Sequence, residues 1–292
     1  MYPSSFDYHA PATVAEVLAL LDKHQDDAKV IAGSQSLVPL MKLRLSQPKH
    51  LIDLRKLPGM IGVWDAKGAL QIGAMTTHDA LEKNELLKAK LPMLAEAAGH
   101  IGDRQIRNQG TVGGSLAHAD PAADWPAVML ACGASVKLVG KGGERTVTIE
   151  DFIIGPLTTA LEQNELLVQV VVPVPAGRVG AAYEKYPHPA SRFALVGVAA
   201  VLTLDAGGVV QAARVVIAGM GAKASRATEI EKALVGKKPA AESLKAAAQH
   251  ASAGLEVTDD SGGSAAYKRQ LAAVVAERAL VKAAARAGQA RA

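Results

Sequence analysis

The chain has 292 residues, of which 49% are apolar and 21% charged, enough to bury sizeable cores in two domains and three at most. A net charge of +4, with Lys and Arg spread along the chain and no aromatics interleaved among them, argues against a nucleic-acid surface. The single cysteine, Cys132, excludes an internal disulfide and cannot hold an iron–sulfur cluster, which needs about four thiolates, so any such cluster in its chemistry lies on another polypeptide.

The N-terminus lacks the basic and apolar regions of a signal peptide, and no window approaches the ~18 apolar residues of a membrane span, so a soluble, cytoplasmic protein is expected. Helical spacing over 12–21 follows Thr13 as N-cap, with Glu16 completing a capping box. A strand over 28–32 stops at Gly33, and a helix over 38–43 carries Pro39 in its first turn. Strands over 50–54 and 69–74 and helices over 77–87 and 92–98 come next. Asp120-Pro121 predicts the cap and first position of a helix that runs through Trp125, Val128 and Leu130 to Gly133. Residues 135–139 and 145–149 read as a β-hairpin, and 168–174 as a further strand. Pro173, Pro175 and Gly177 mark a domain boundary. Beyond it, 193–204 and 209–217 flank the turn at Asp205-Ala-Gly-Gly208 as a second hairpin. Helices over 228–235, 240–253 and 264–285 follow, and the Ala-rich tail after Lys282 is expected to fray. The fold class is α+β: one domain over 1–176, in lobes of about 1–56 and 57–176, and a smaller one over 177–292.

Two segments carry chemistry. In Ala32-Gly33-Ser34-Gln35-Ser36 a strand ends and a helix begins. Glycine permits positive φ, successive N–H groups converge on an anion, and the helix start adds partial positive charge. Ser34 and Ser36 add hydroxyl donors, so the turn could hold one phosphate of a dinucleotide. In Asn108-Gln-Gly-Thr-Val-Gly-Gly-Ser115, three glycines let a backbone pass close to a ligand, with Thr111 and Ser115 as donors. Each alone also fits an ordinary turn; together they suggest a pyrophosphate clamp. The fingerprint G-x-G-x-x-G is absent, so a Rossmann NAD site has no support. Asp124, one helical turn past Asp120 and beside Trp125 and Pro126, suits either a ribose hydroxyl or a solvated helix face.

The run Ile101-Gly-Asp-Arg-Gln-Ile-Arg-Asn-Gln-Gly-Thr-Val-Gly-Gly-Ser-Leu-Ala117, followed by Asp120-Pro-Ala-Ala-Asp124, resembles the second FAD motif of the molybdenum hydroxylases, the family of xanthine dehydrogenase and aerobic carbon monoxide dehydrogenase. Ala32-Gly-Ser-Gln-Ser-Leu-Val-Pro-Leu-Met-Lys-Leu-Arg44 resembles their first motif. Tyr183-Glu-Lys185 and Ala194-Leu-Val-Gly-Val-Ala-Ala200 resemble the start of their C-terminal flavoprotein domain, and Ser264-Ala-Ala-Tyr-Lys-Arg-Gln-Leu271 with Arg278-Ala-Leu280 its end. The resemblance covers nearly the whole chain.

It implies a two-part PCMH-type FAD-binding domain followed by a smaller flavoprotein domain with an antiparallel sheet and helices. Lys29, Val30, Ile31, Ala32, Gly33, Ser34, Gln35 and Ser36 would wrap the FAD pyrophosphate from one side, and Thr111, Val112, Gly113, Gly114 and Ser115 from the other. Asp124 would contact the adenosine ribose, and Ile101 would sit against the isoalloxazine ring where some relatives place an aromatic. Leu167 and Lys185 would also line the site, Lys185 near the N1–C2=O edge to stabilise the anionic reduced form, with Tyr186 close by. Ser34 stands where Gly is commoner in the family. The implied role is electron transfer in a heterotrimer. A large molybdopterin subunit, carrying the molybdenum–pterin cofactor, oxidises the substrate, and a small subunit with two [2Fe–2S] clusters relays electrons. FAD on this chain then hands them to an external acceptor, and the whole is a dimer of heterotrimers. No catalytic or metal-ligating residue is then expected here. The alternative is a self-contained FAD-dependent oxidase or reductase with its own acid/base groups or a flavin-tethering His; His100 and His118 flank the second motif. A scaffold that has lost its flavin is disfavoured by the intact glycines.

Overall fold

The computed structural model describes residues 2–289. Its first lobe is a parallel sheet of β1 (Asp7–His9), β2 (Ala28–Ile31) and β3 (His50–Asp53), in the order β1-β3-β2. α1 (Val14–His24) and α2 (Leu37–Lys42) connect its strands. Thr13 caps α1 as expected, its Oγ1 accepting from the Glu16 N–H, while the Glu16 carboxylate accepts from the Ala12 N–H at 2.8 Å, one residue before the cap, rather than from Thr13. β1, absent from the sequence expectation, is too short to display alternation.

The second lobe is an antiparallel sheet of β4 (Val63–Ala66), β5 (Ala69–Gly73), β6 (Ser135–Gly140), β7 (Gly143–Thr148) and β10 (Glu165–Pro173), ordered β4-β5-β10-β6-β7. Between β5 and β6 run α3 (His78–Lys83), α4 (Glu85–Lys90), α5 (Pro92–His100), α6 (Arg104–Gln109), α7 (Val112–His118) and α8 (Asp124–Ala131). α9 (Ile149–Phe152) and the small hairpin of β8 (Ile153–Gly155) and β9 (Thr158–Thr159) lead into β10. Two expectations are corrected here. The helix over 77–87 is two helices, because Asn84 closes α3 while its side chain accepts from the Leu87 N–H and caps α4. α8 starts at Asp124 rather than Pro121, because Asp120 Oδ1 accepts from the Ala122 N–H at 2.8 Å and holds the segment in a turn.

β11 (Arg178–Pro187), β12 (Ala194–Leu204), β13 (Val210–Ala218) and β14 (Ser225–Arg226) form the third sheet, antiparallel throughout. α10 (Thr228–Leu234), α11 (Ala241–Ala248) and α12 (Ala265–Gln289) cover one of its faces. This sheet separates two cores. Tyr183, Ala199, Val216 and Ala218 join the core that the first two lobes share around Trp125. Val196, Val198, Ala200, Leu202, Val215 and Ile217 face the other way, onto Ala276, Ala279, Leu280 and Ala283 of α12. Burial on both faces explains why β12 is a continuous apolar run and not an alternating one. α12 continues unbroken past Lys282 to Gln289, because Ala283 and Ala287 are buried against the sheet; the end of the tail lies outside the described residues. Among the described residues no helix is long and apolar enough to cross a membrane.

Candidate flavin site

The three parts of the chain meet around a cavity of about 560 Å³, a size typical of small-molecule and cofactor sites. Residues 33–36 wall it from the first lobe, Thr111 and Gly114 from the second, and Arg192 and Phe193 from the third. A Cβ on Gly33 would overlap the Gln109 carbonyl oxygen and lie 2.7 Å from Gly110 Cα, so glycine is what allows the two motifs to touch. Ser34 takes φ +62°, the left-handed region, and its hydroxyl turns back to the Gly33 carbonyl at 2.8 Å. Among the described residues none accepts from the N–H groups of Ser34, Gln35 or Ser36. Three adjacent donors therefore stand free at the cavity in a turn that contains a left-handed residue, the arrangement of an anion nest.

The second motif works differently from the turn expected for it. Thr111 Oγ1 caps α7 by accepting from the Gly114 N–H at 3.2 Å, so Gly113 and Gly114 lie in a first helical turn. The N–H groups of Val112 and Gly113 donate to the Thr76 and Ala74 carbonyls at 3.1 and 2.9 Å. These backbone donors are used within the protein. What α7 offers the cavity is the hydroxyls of Thr111 and Ser115 and the bare surface at Gly114. Gly113 has a packing reason: its Cβ would lie 2.5 Å from that of Ala74, just past β5.

Asp124, the first residue of α8, lies on the cavity wall and is only 4% exposed. The Tyr183 hydroxyl donates to one carboxylate oxygen at 2.5 Å, and Lys185 Nζ is 2.8 Å from the other. Lys185 also donates to the His100 carbonyl at 3.1 Å. Tyr183 and Lys185 are two residues apart on β11 and so share a face, and a Cβ on Gly197 of β12 would overlap the Tyr183 hydroxyl. Burial pushes the Asp124 carboxyl up, opposed by the Lys185 ammonium and the Tyr183 hydroxyl. Burial, reinforced by the Asp124 charge, pushes the Tyr183 hydroxyl well above its ordinary range and keeps it a donor.

Of the residues expected to bind the cofactor, Lys29, Val30, Ala32, Gly33, Ser34, Gln35, Ser36, Ile101, Thr111, Gly113, Gly114, Ser115, Asp124 and Leu167 all lie on the cavity wall. Ile31, Val112 and Lys185 do not. Val112 is fully buried behind the wall, and Lys185 is turned into its pair with Asp124. The sequence reading did not find His78 or Arg192. His78 opens α3 on the wall and accepts at Nδ1 from the Trp125 indole N–H at 3.0 Å, which leaves the proton of the neutral ring on Nε2. Its burial, with the Arg107 charge second, lowers its pKa to about 4. Arg192 donates from Nε to the Gly102 carbonyl at 3.0 Å. A lone His and a loop Arg carry no motif that could have signalled either.

Residues 4–175 match the FAD binding domain of molybdopterin dehydrogenases, and residues 181–283 match the CO dehydrogenase flavoprotein C-terminal domain. The chain belongs to this flavoprotein family. The carbon monoxide dehydrogenase medium chain of Hydrogenophaga pseudoflava is 41% identical to it over 280 residues, covering 96% of this chain and 97% of the relative. The 6-hydroxypseudooxynicotine dehydrogenase complex subunit alpha of Paenarthrobacter nicotinovorans is 39% identical, covering 97% and 96%. A solved structure of the Hydrogenophaga pseudoflava carbon monoxide dehydrogenase, in a form that lacks the Mo-pyranopterin moiety of the molybdenum cofactor, matches with a TM-score of 0.94 at 42% identity over 98% of this flavoprotein chain and 99% of that one. The expectations of an α+β fold, FAD as the cofactor and a dehydrogenase subunit hold.

Proposed function

We propose that this chain is the FAD-carrying electron-transfer subunit of a heterotrimeric molybdenum hydroxylase. A large subunit with a molybdenum–pterin cofactor oxidises the substrate, a small subunit relays electrons through two [2Fe–2S] clusters, and an external acceptor takes them from this chain. Two such three-chain units pair in the cytoplasm. The observation that carries the reading is the close approach of Gly33 to Gln109 and Gly110, which brings the two glycine-rich segments to one cavity in a chain with a single cysteine.

Bound FAD supplies the conversion between two-electron and one-electron transfer. The chain's own groups bind and orient. The free N–H groups of Ser34, Gln35 and Ser36 hold the pyrophosphate from one side, and the hydroxyls of Thr111 and Ser115 from the other. Asp124 accepts from a ribose hydroxyl, its carboxylate fixed by Tyr183 and Lys185. Lys185 serves the site through Asp124, cancelling a buried charge that would otherwise be expelled by protonation. Ile101 and Leu167 present apolar surface to the ring and exclude water. The relatives are named for substrates as unlike as carbon monoxide and 6-hydroxypseudooxynicotine, in keeping with a substrate chosen on the large subunit. The test is an absorption spectrum of the natively purified protein with metal analysis and a gel. Flavin and iron–sulfur bands, molybdenum and two co-purifying chains are expected. An isolated chain that carries flavin alone and turns over a substrate unaided overturns the proposal.

A further inference from the structure

Away from the cavity, the first lobe gathers three imidazoles that the flavin reading does not use. His9 ends β1, His24 ends α1 and His50 opens β3. One ligating nitrogen from each lies within 4.8 Å of the others. Parallel pairing sets Asp7 opposite His50, and His9 follows Asp7 by two residues, on the same face of the strand. The last turn of α1 brings His24 over them, its ring centroid 3.6 Å from that of His50.

Hydrogen bonding among the rings does not account for the cluster. His9 Nε2 and His50 Nδ1, 3.2 Å apart, can share one proton. His24 Nε2 is buried and has no partner among the described residues, an arrangement that proteins avoid unless something else satisfies the atom. Three ligating nitrogens within 4.8 Å of one another, one of them buried and unpartnered, suit a cation once the His24 ring turns out of its stack on His50. Zinc–imidazole bonds of about 2.0 Å in a tetrahedron put neighbouring ligand atoms about 3.3 Å apart, close to the 3.2 Å separation of His9 and His50. The Asp7 carboxylate, 3.6 Å from His50 Nδ1 and 77% exposed, lies outside the group of three nitrogens and adds negative charge beside it. None of the four residues lines the flavin cavity.

We propose that His9, His24 and His50 bind a divalent first-row transition metal, zinc foremost, with water in the fourth position. Three imidazoles and no thiolate make a borderline donor set, which suits zinc and admits copper as its competitor. The metal ties β1, the end of α1 and the start of β3 into one clip. It therefore steadies the lobe that carries Gly33 without touching the flavin.

The experiment uses the full chain, purified without a polyhistidine tag, stripped with EDTA and titrated with zinc sulfate against a chromogenic chelator. One zinc per chain is expected, with a rise in Tm on saturation, and His24→Gln and His50→Gln should each lower the affinity at least about tenfold. FAD absorbance and circular dichroism show that each variant is folded. Zinc K-edge X-ray absorption on the unmodified chain gives an answer independent of any variant: a nitrogen/oxygen shell at about 2.0 Å with imidazole scattering. The absence of saturable binding, a first shell without imidazole, or unchanged affinity in folded His24→Gln overturns the site.

Discussion

Replacing Lys185 with Met tests the buried pair behind the ribose position. The substitution keeps a side chain of similar length and removes the ammonium from a pair 1% and 4% exposed. At 2.8 Å and an effective dielectric near 20, the lost attraction is about 6 kcal/mol. Relief of the lysine's own desolvation offsets part of it, and removing one partner of a buried pair costs about 3–5 kcal/mol net. Asp124 then keeps only the Tyr183 hydroxyl, and its carboxyl, already pushed up by burial, rises further. Combining Lys185→Met with Asp124→Asn removes both charges and should return most of the loss, to within about 1 kcal/mol of the unmodified chain. Urea unfolding of the FAD-free full chain, followed by the fluorescence of Trp64 and Trp125, measures all three variants. A cost below about 1 kcal/mol for Lys185→Met, or strictly additive single changes, refutes the pair as described.

Gly33→Ala drives a Cβ into the backbone of Gln109 and Gly110, neither of which can swing aside; a loss of about 1–3 kcal/mol and at least tenfold weaker FAD binding are expected by equilibrium titration. Unchanged binding would mean that the motifs need not touch. Ser34→Gly removes a left-handed L-residue that costs about 1–2 kcal/mol, partly offset by glycine's backbone entropy of about 0.5–1 kcal/mol. The urea midpoint should rise slightly, and a fall contradicts the strain. His78 has its folded pKa lowered from 6.5 to about 4, so between those values the unfolded chain binds the extra proton. Its contribution, about 3 kcal/mol, is complete above pH 6.5 and lost as pH falls towards 4. His78→Asn, which keeps an acceptor for Trp125, should flatten that acid limb in urea titrations at stepped pH; an unaltered limb assigns it to other groups.

The strands over Ala28–Ile31, His50–Asp53 and Ala69–Gly73 and both long hairpins were legible because apolar runs are punctuated by Gly, Pro and Asp turns. α7 was not, because Gly113 and Gly114 lower helix propensity, and only the nearness of Ala74 to Gly113 and of Thr111 Oγ1 to Gly114 explains why the helix needs them. Asp120-Pro121 imitates a cap with its first helical residue, and only the bond from the Ala122 N–H reveals the turn. Within the site, the glycine motifs declared themselves as local patterns. The pairing of Asp124 with Lys185 joins residues 61 apart, and no spacing rule reaches so far. The same holds for His9, His24 and His50, whose meeting depends on strand register and the length of α1.

The third sheet has a consequence for how the molecule comes apart. With one face on α12 of its own region and the other on the core around Trp125, the third sheet cannot part from the first matched region without uncovering a strand surface built to be dry. A boundary that is clear in composition is then not a seam in mechanics. The two regions should melt in one calorimetric transition with a single van't Hoff enthalpy, and a cut in the chain near residue 177 should leave two fragments that stay associated.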